Sequence, residues 1–262
     1  MFSQTPYAPP GKMIDIGGAR VHLNCSGSGQ ITVMIVGAGH SFDWSLVQPE
    51  VAKFARVCTY DPTGTVWSDP NPSPTCDGRI GEIHALLQHA GIVGPLVLVG
   101  HSIGAVFARL YAARFPNAVH GLVLSDYAGG YRITNAEGMF RADEQSLQRL
   151  PPLARNMHLW ADSRPGASNP NGDRKFFDGC IAGAAKTTIS LGRKPLIIVS
   201  NPFMAASDDY LRVQADLLAL SHNSKAMIAP HSGHGIPMED PEVLVQAIRE
   251  VVSAAQSNTA LR

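Results

Sequence analysis

The sequence predicts an α/β fold in which one mostly parallel sheet of eight strands is flanked by helices. Short apolar runs, rich in β-branched residues, alternate with helical patterns along most of the 262 residues, as in a parallel sheet with crossover helices. The first two runs flank Gly17-Gly18, a turn signal for an antiparallel hairpin. The alternation stops between residues 129 and 191. We therefore expect a core of residues 1–128 and 192–262, with residues 129–191 forming a small helical lid inserted after the sixth strand.

The predicted strands are short apolar runs bounded by turn signals. Because helices connect the last six of them, those six are expected to run parallel to one another. In chain order, the eight predicted strands cover residues 13–16, 20–24, 31–36, 56–60, 96–99, 121–125, 196–199 and 226–229.

Helical patterns fill the gaps between the strands. The last helix has the clearest start signal, since Asp240 can cap free amides, Pro241 suits the first helical position and Glu242 favours the positive helix end. In the lid, residues 137–150 are predicted to be helical and residues 164–173 to be a loop. Lids commonly carry substrate-facing residues, so specificity is expected to lie there. The core helices are predicted at residues 44–54, 79–89, 103–114, 209–220 and 241–255.

Composition and charge exclude several classes of function. Hydrophobic residues make up 45% and charged residues 16%, which is typical of a globular protein with a large buried sheet. Lysine plus arginine and aspartate plus glutamate both number 21, and no run of like charge occurs. Nucleic acid and membranes are therefore not expected as partners. The longest apolar runs fall far short of the roughly 20 residues that a membrane span needs.

The N-terminus and the cysteines bear on the cellular compartment. Residues 1–11 hold several prolines and neither a basic start nor an apolar core, so they do not resemble a secretory signal, and a cytoplasmic protein is expected. The four cysteines, Cys25, Cys58, Cys76 and Cys180, are scattered without metal-binding spacing. They are predicted to be free thiols. No metal or cofactor is expected, and the protein is expected to be a monomer or a homodimer.

The strongest motif is Gly100-His101-Ser102-Ile103-Gly104, which follows a predicted strand and opens a predicted helix. A nucleophile elbow requires this strand, sharp turn and helix, and it places the serine on a strained turn. The Ile103 N–H at the helix start can then bond a developing oxyanion. The alternative is a chance occurrence of the pattern, which this structural context makes the weaker interpretation.

A serine nucleophile needs a base, which is usually histidine. His234 lies in a loop after the last strand, where it can hang over the carboxyl edge of the sheet. A solvated loop histidine is the alternative. Two positions compete for the acid that orients the base. Asp126 ends the sixth strand, whereas Asp208 and Asp209 follow the seventh strand after a loop, and Asp208 is also placed to cap the next helix. We favour Asp126.

The loop after the third strand, Val36-Gly37-Ala38-Gly39-His40, is predicted to supply the second oxyanion donor. Glycines let the backbone approach a substrate, and the Ala38 N–H can point inward. The alternative is an ordinary glycine-rich turn, and the full phosphate-loop spacing is absent. His40 and the lid residue Trp160 are predicted to contact substrate. Local packing is the alternative for His40, and a place in the lid core, shared with Met157, is the alternative for Trp160.

These motifs resemble the α/β-hydrolase superfamily, and the resemblance covers nearly the whole chain outside the lid. Tyr60-Asp61-Pro62-Thr63-Gly64-Thr65-Val66-Trp67-Ser68-Asp69 is similar to the family's segment after the fourth strand, with Val66 in place of the second glycine and Trp67 in place of the usual basic residue. Val36 stands where the family commonly has histidine. The stretch of residues 107–126 resembles a subgroup of bacterial esterase-like hydrolases whose acid follows the sixth strand, which supports Asp126.

The resemblance and the motifs together predict two-step acyl transfer on a carboxylic ester, thioester or lactone of small to medium size. Serine at the elbow argues against dehalogenase and epoxide hydrolase chemistry, for which this superfamily uses aspartate. Two alternatives remain open. The same triad serves carbon–carbon bond hydrolysis and perhydrolase activity, and some relatives bind small molecules with little turnover.

Overall fold

The computed structural model describes residues 7–37, 39–71, 73–127, 129, 146–163 and 174–261. Within these residues, eight strands form one sheet in the order β1-β2-β4-β3-β5-β6-β7-β8. Strand β2 is antiparallel to both of its neighbours, and the last six strands are parallel, as predicted. The strands are β1 Lys12–Asp15, β2 Arg20–Ser26, β3 Thr32–Val36, β4 Arg56–Asp61, β5 Leu96–His101, β6 Val119–Ser125, β7 Leu196–Ser200 and β8 Ser224–Ile228.

The hairpin between β1 and β2 forms where the two glycines predict it. Gly17 and Gly18 have φ angles of +86° and +141°, which glycine adopts without steric cost. The Ile16 N–H closes the turn by donating to the Ala19 carbonyl at 2.9 Å.

Helices flank the sheet on both faces, and most of them match their predicted bounds within a few residues. The predicted helix at residues 44–54 is the exception, because it divides into a 3-10 turn, Ser41–Trp44, and the short helix α1. Pro49 explains the break, since its ring removes one backbone donor and clashes with the preceding turn. The helices are α1 Gln48–Val51, α2 Cys76–His89, α3 Ile103–Arg114, α4 Pro152–Asp162, α5 Arg174–Lys186, α6 Pro202–Ala205, α7 Asp208–Leu218, α8 Ile236–Glu239 and α9 Pro241–Ser257.

Alternate residues of the central strands pack into two separate apolar clusters. On β5, Leu98 packs with residues of α2 and α3 on one face, whereas Val97 and Val99 pack with residues of α9 on the other. This division follows from the two-residue period of a strand. The central strands are therefore buried on both faces, and the carboxyl ends of the parallel strands meet at one edge.

Two helices occupy part of the predicted lid, and we call α4 and α5 the insert helices. Helix α4 buries Ala154, Met157 and Ala161 against Phe42 and Leu150. The predicted loop at residues 164–173 and the first nine residues of the predicted helix at residues 137–150 lie outside the described residues. The final part of that predicted helix forms a short 3-10 turn, Leu147–Arg149. The division into core and lid stays a prediction.

The prediction of free thiols is wrong, because all four cysteines are paired. Cys25 and Cys58 face each other across β2 and β4, with Cα atoms 4.1 Å apart. Cys76 on α2 bonds Cys180 on α5, with Cα atoms 5.5 Å apart. These partners are 33 and 104 residues apart in sequence, so their spacing gave no sign of the pairing. Disulfides persist mainly in oxidising compartments, which weighs against the expected cytoplasmic location.

The bond between Cys76 and Cys180 is expected to contribute measurably to stability. Replacing both residues with serine should lower the free energy of unfolding by about 2–4 kcal/mol, because the bond restricts the unfolded chain. For a domain of this size, that corresponds to a fall in Tm of roughly 5–15 °C. Thermal unfolding of the wild type and of the double serine variant, both without reductant, measures the effect. Equal Tm values for the two proteins would contradict the expectation.

In the part of the chain that the structure describes, no helix combines the length and apolar character required to cross a bilayer.

Candidate active site

Ser102 occupies a strained turn between β5 and α3. Its φ and ψ angles are +56° and −126°, a conformation that non-glycine residues rarely adopt. The Ser102 N–H donates to the Ser125 carbonyl on the neighbouring strand at 2.9 Å. A side chain at Gly100 would collide with the backbone of Ala105, and one at Gly104 with the Val36 carbonyl. Both glycines of the motif are therefore needed for the tight packing that the elbow requires.

Ile103 is the first residue of α3 and is buried. An α-helix leaves its first amides without acceptors inside the helix, so the Ile103 N–H belongs to a group that can bind an anion. Ala38, the other predicted oxyanion donor, lies outside the described residues.

Asp126 and His234 come together at the carboxyl edge of the sheet. Asp126 follows β6 with a φ of +43°, and its side chain is fully buried. His234 Nδ1 lies 3.2 Å from Asp126 Oδ2. Asn201, which no sequence motif indicates, donates its backbone N–H to Asp126 Oδ1 at 3.0 Å and its side-chain amide to Oδ2 at 2.6 Å. Three donors thus fix the carboxylate beside the imidazole.

The competing acids, Asp208 and Asp209, lie in the first turn of α7. The cap of that helix is Ser207 rather than Asp208, since the Ser207 hydroxyl accepts from the Tyr210 N–H at 3.4 Å. Asp209 forms an ion pair with Arg212 at 3.2 Å, and its side chain is 44% exposed. The contact with His234 therefore favours Asp126 over both alternatives.

Two acidic residues brace the loop that carries His234. Asp240 Oδ2 accepts from the His231 N–H at 3.1 Å, and a Glu239 carboxylate oxygen accepts from the Gly233 N–H. Asp240 sits at the start of α9 as predicted, but its side chain makes no capping bond to that helix. Burial raises the pKa of Glu239 above its ordinary value. Sequence motifs gave no signal for the bracing by Glu239.

The loop after β3 packs against the 3-10 turn that follows it. The His40 N–H donates to Asp43 Oδ2 at 2.8 Å, and the His40 ring lies 4.9 Å from the Phe42 ring between centroids. Trp160, on α4, packs its ring edge-on against Tyr7 at 5.7 Å. Both predicted substrate-binding residues therefore have aromatic neighbours, and their contact with substrate stays a prediction.

The end of β4 and the segment after it support the 3-10 turn Ser41–Trp44. Asp61 accepts from the Ser41 N–H at 2.8 Å and from His22 Nδ1 at 2.6 Å, all in buried surroundings. Trp67 packs on the His22 ring at 4.7 Å between centroids. Val66 has a φ of +39°, in the region that favours glycine. This conformation gives a physical reason for the family's glycine at that position.

His101, inside the elbow motif, packs against the proposed base. The rings of His101 and His234 lie 4.8 Å apart between centroids, and His101 Nδ1 is 3.3 Å from the Ser125 hydroxyl. Burial, and secondarily the nearby His234, lowers the pKa of His101 well below its ordinary value of 6.5. His101 is therefore neutral near pH 7, which avoids a second positive charge beside His234 when the latter is protonated.

This lowered pKa predicts a pH dependence of stability. Between the folded and the unfolded pKa values, the unfolded chain binds a proton at His101 that the folded chain does not. The contribution of neutral His101 to the free energy of unfolding is complete above pH 6.5. Below that value the contribution falls by roughly 1 kcal/mol per pH unit. Urea unfolding between pH 7 and pH 5 should show a shallower loss in His101→Gln. The exposed control His120→Gln should match the wild type; equal slopes in all three proteins would contradict this account.

Comparison with known proteins decides the family. A family model described as the alpha/beta hydrolase fold matches residues 33–176, more than half of the chain. The chain belongs to the α/β-hydrolase family. The matched range covers all but the first residue of β3, together with the elbow and the Asp126 turn. Among the described residues, no cluster of three or more histidine, cysteine, aspartate or glutamate side chains is placed to hold a metal ion.

Relatives of this α/β hydrolase differ in how much of the chain they share. An uncharacterized protein, YqjL, from Bacillus subtilis is 27% identical over 252 residues, covering 93% of this chain and 92% of the relative. A 2-hydroxymuconate semialdehyde hydrolase from Pseudomonas sp. strain CF600 is 35% identical over 130 residues, covering 45% and 44%. A solved meta-cleavage product hydrolase from Pseudomonas fluorescens IP01 superposes with a TM-score of 0.72 at 21% identity, covering 94% of this chain and 98% of that one. At that identity the likeness shows the fold alone.

Proposed function

We propose that this α/β hydrolase is a serine hydrolase that cleaves a carboxylic ester, thioester or lactone through Ser102, His234 and Asp126. The observation that carries the proposal is the 3.2 Å contact between His234 Nδ1 and the buried Asp126 carboxylate, at the edge of the sheet where the elbow presents Ser102. An orienting acid, a histidine base and a serine on a strained turn are the parts that acyl transfer needs.

The proposed mechanism follows from the direction of these hydrogen bonds. Because ionised Asp126 can only accept, His234 donates from Nδ1, which leaves Nε2 free of a proton and able to act as the base. His234 takes the proton of the Ser102 hydroxyl as its oxygen attacks the substrate carbonyl. The amides of Ile103 and Ala38 stabilise the resulting oxyanion, and His234 protonates the leaving group. Water, activated by His234, then hydrolyses the acyl-enzyme and releases Ser102.

An apolar substrate of small to medium size suits the apolar side chains that pack beside the loop after β3. Phe42 lies between the loop after β3 and α4, where it packs with Met157 and near Trp67. Such aromatic and thioether surfaces favour apolar groups over charged ones. His40 and Trp160 are the proposed contacts from the core and from α4. A small molecule is the proposed partner; nucleic acid and membrane are not proposed, and a monomer or a homodimer is proposed as the assembly.

Carbon–carbon bond hydrolysis is the second candidate, because the partial match at 35% identity is to a 2-hydroxymuconate semialdehyde hydrolase. The same serine, base and acid would serve that reaction. The match covers 45% of this chain, so it supports the candidate without extending to the whole site.

Two classes of substrate, tested in parallel, separate the candidates. We expect the wild type to hydrolyse p-nitrophenyl acetate and butyrate with a kcat/KM well above that for 2-hydroxymuconate semialdehyde. The reverse order would favour the carbon–carbon hydrolase. Tight binding of the esters and of the semialdehyde without turnover of any of them would favour a receptor-like protein and contradict the proposal. Cell fractionation tests the cytoplasmic location separately. The two disulfides favour an oxidising compartment over the cytoplasm.

A further inference from the structure

A polar contact joins insert helix α4 to the turn after β3. Among the described residues of the loop that precedes this turn, we call Gly39 and His40 the oxyanion loop. His158 Nδ1 lies 2.7 Å from Asp43 Oδ1, across 115 positions of sequence. The two side chains are only 17% and 13% exposed. A charged hydrogen bond in such surroundings is less screened than one on the surface, so it fixes geometry more firmly.

The other oxygen of Asp43 holds the oxyanion loop itself. Asp43 Oδ2 accepts from the His40 N–H at 2.8 Å, and a side chain at Gly39 would collide with this carboxylate. The His158 ring also packs edge-on against the His40 ring at 5.4 Å between centroids. One carboxylate therefore connects α4 to the backbone that immediately follows position 38, the proposed oxyanion donor.

The chain segment just before α4 contacts a residue that supports the loop carrying His234. Arg149 donates to the Glu239 carbonyl, and the Glu239 carboxylate accepts from the Gly233 N–H beside His234. Residues 146–163 thus contact the supports of both the oxyanion loop and the base. This arrangement links the position of the insert to the geometry of the site.

We propose that His158 is a positioning residue that, through Asp43, holds the oxyanion loop in place next to position 38, the proposed oxyanion donor. The proposal rests on the proposed function, since it assigns His158 an effect on the oxyanion that forms at Ser102. Loss of the contact would let the loop shift, and a donor displaced by a fraction of an ångström stabilises the tetrahedral intermediate less well. Substrate binding in the ground state would change little, because the oxyanion forms only during reaction.

Steady-state kinetics on p-nitrophenyl butyrate test this role. His158→Leu should lower kcat by about 10- to 100-fold, while KM changes by less than about threefold. His158→Asn should recover most of kcat, because the asparagine amide nitrogen occupies nearly the position of histidine Nδ1 and can donate to Asp43. The control Leu159→Ala alters the next residue of α4, whose side chain is 53% exposed, and should keep wild-type kinetics.

A double variant separates positioning from general damage to the insert. If His158 acts through Asp43, His158→Leu combined with Asp43→Asn should be no more than about threefold slower than the slower single variant. Any of four results would overturn the proposal: losses in kcat that multiply in the double variant, an equal loss of kcat in Leu159→Ala, no recovery of kcat in His158→Asn, or a rise in KM with unchanged kcat. An active wild type whose His158→Leu variant keeps its kcat would refute this inference alone. A wild type that neither turns over ester nor accepts a fluorophosphonate label would refute the proposed function and this inference with it.

Discussion

Replacing Ser102 with alanine is expected to lower kcat on p-nitrophenyl butyrate by at least about 10⁴-fold. The hydroxyl is the proposed nucleophile, and no acyl-enzyme can form without it. Residual rate would come from the oxyanion amides and from substrate binding alone. KM should change far less than kcat, because the hydroxyl contributes little to ground-state binding. Initial rates with enough enzyme to detect the residual activity measure the effect.

Ser253→Ala is the matched control for that experiment. Ser253 is exposed on α9, far along the chain from the elbow, and its replacement should leave kcat unchanged. The strained φ of +56° at position 102 remains in the alanine variant, so circular dichroism and Tm should match the wild type within a few degrees. Retention of more than a tenth of the wild-type kcat in a folded Ser102→Ala variant would remove Ser102 from the proposed mechanism.

Asp126→Asn is expected to lower kcat by about 10³- to 10⁴-fold. Asp126 accepts hydrogen bonds from the Asn201 backbone N–H, the Asn201 side-chain amide and His234 Nδ1. The asparagine side chain has one oxygen and one NH₂ group. Its NH₂ group would therefore face at least one of these N–H donors and could not accept a hydrogen bond from it. The His234 ring would then favour the tautomer with its proton on Nε2, which cannot act as the base.

Asp208→Asn and Asp209→Asn are the matched controls for the acid. Both residues lie on α7, where Asp208 is exposed and Asp209 pairs with Arg212, and both variants should keep kcat within about twofold of the wild type. A loss of orders of magnitude in Asp208→Asn or Asp209→Asn, with Asp126→Asn active, would reassign the acid. Urea unfolding of each variant separates loss of activity from loss of fold.

The parts of the fold that sequence predicts well depend on local patterns. Helix α3 has its predicted bounds because the elbow fixes its start and Arg114 precedes a proline two positions later. The hairpin follows from Gly17-Gly18 in the same way. The prediction of one continuous helix at residues 44–54 was wrong. The apolar spacing there is typical of a helix, but Pro49 ends one helical turn and starts the next.

The contacts that sequence could not predict join positions far apart in the chain. Cys25 meets Cys58 only because β2 pairs with β4 in one register, and that pairing is decided by the whole sheet. The contact between His158 and Asp43 spans 115 residues and carries no motif. The closeness of Asp126 to His234 could be predicted from the sequence, because the carboxyl ends of parallel strands meet at one edge of the sheet and Asp126 directly follows such a strand.

Covalent labelling tests the central claim most directly. The wild type is incubated with a fluorophosphonate, digested and mapped by tandem mass spectrometry, with Ser102→Ala treated in parallel. The account predicts one label per chain, attached to the Ser102 hydroxyl, and none in the variant, because only a serine activated by His234 attacks phosphorus rapidly. A label on another residue, or a wild type that stays unlabelled while folded, would contradict it.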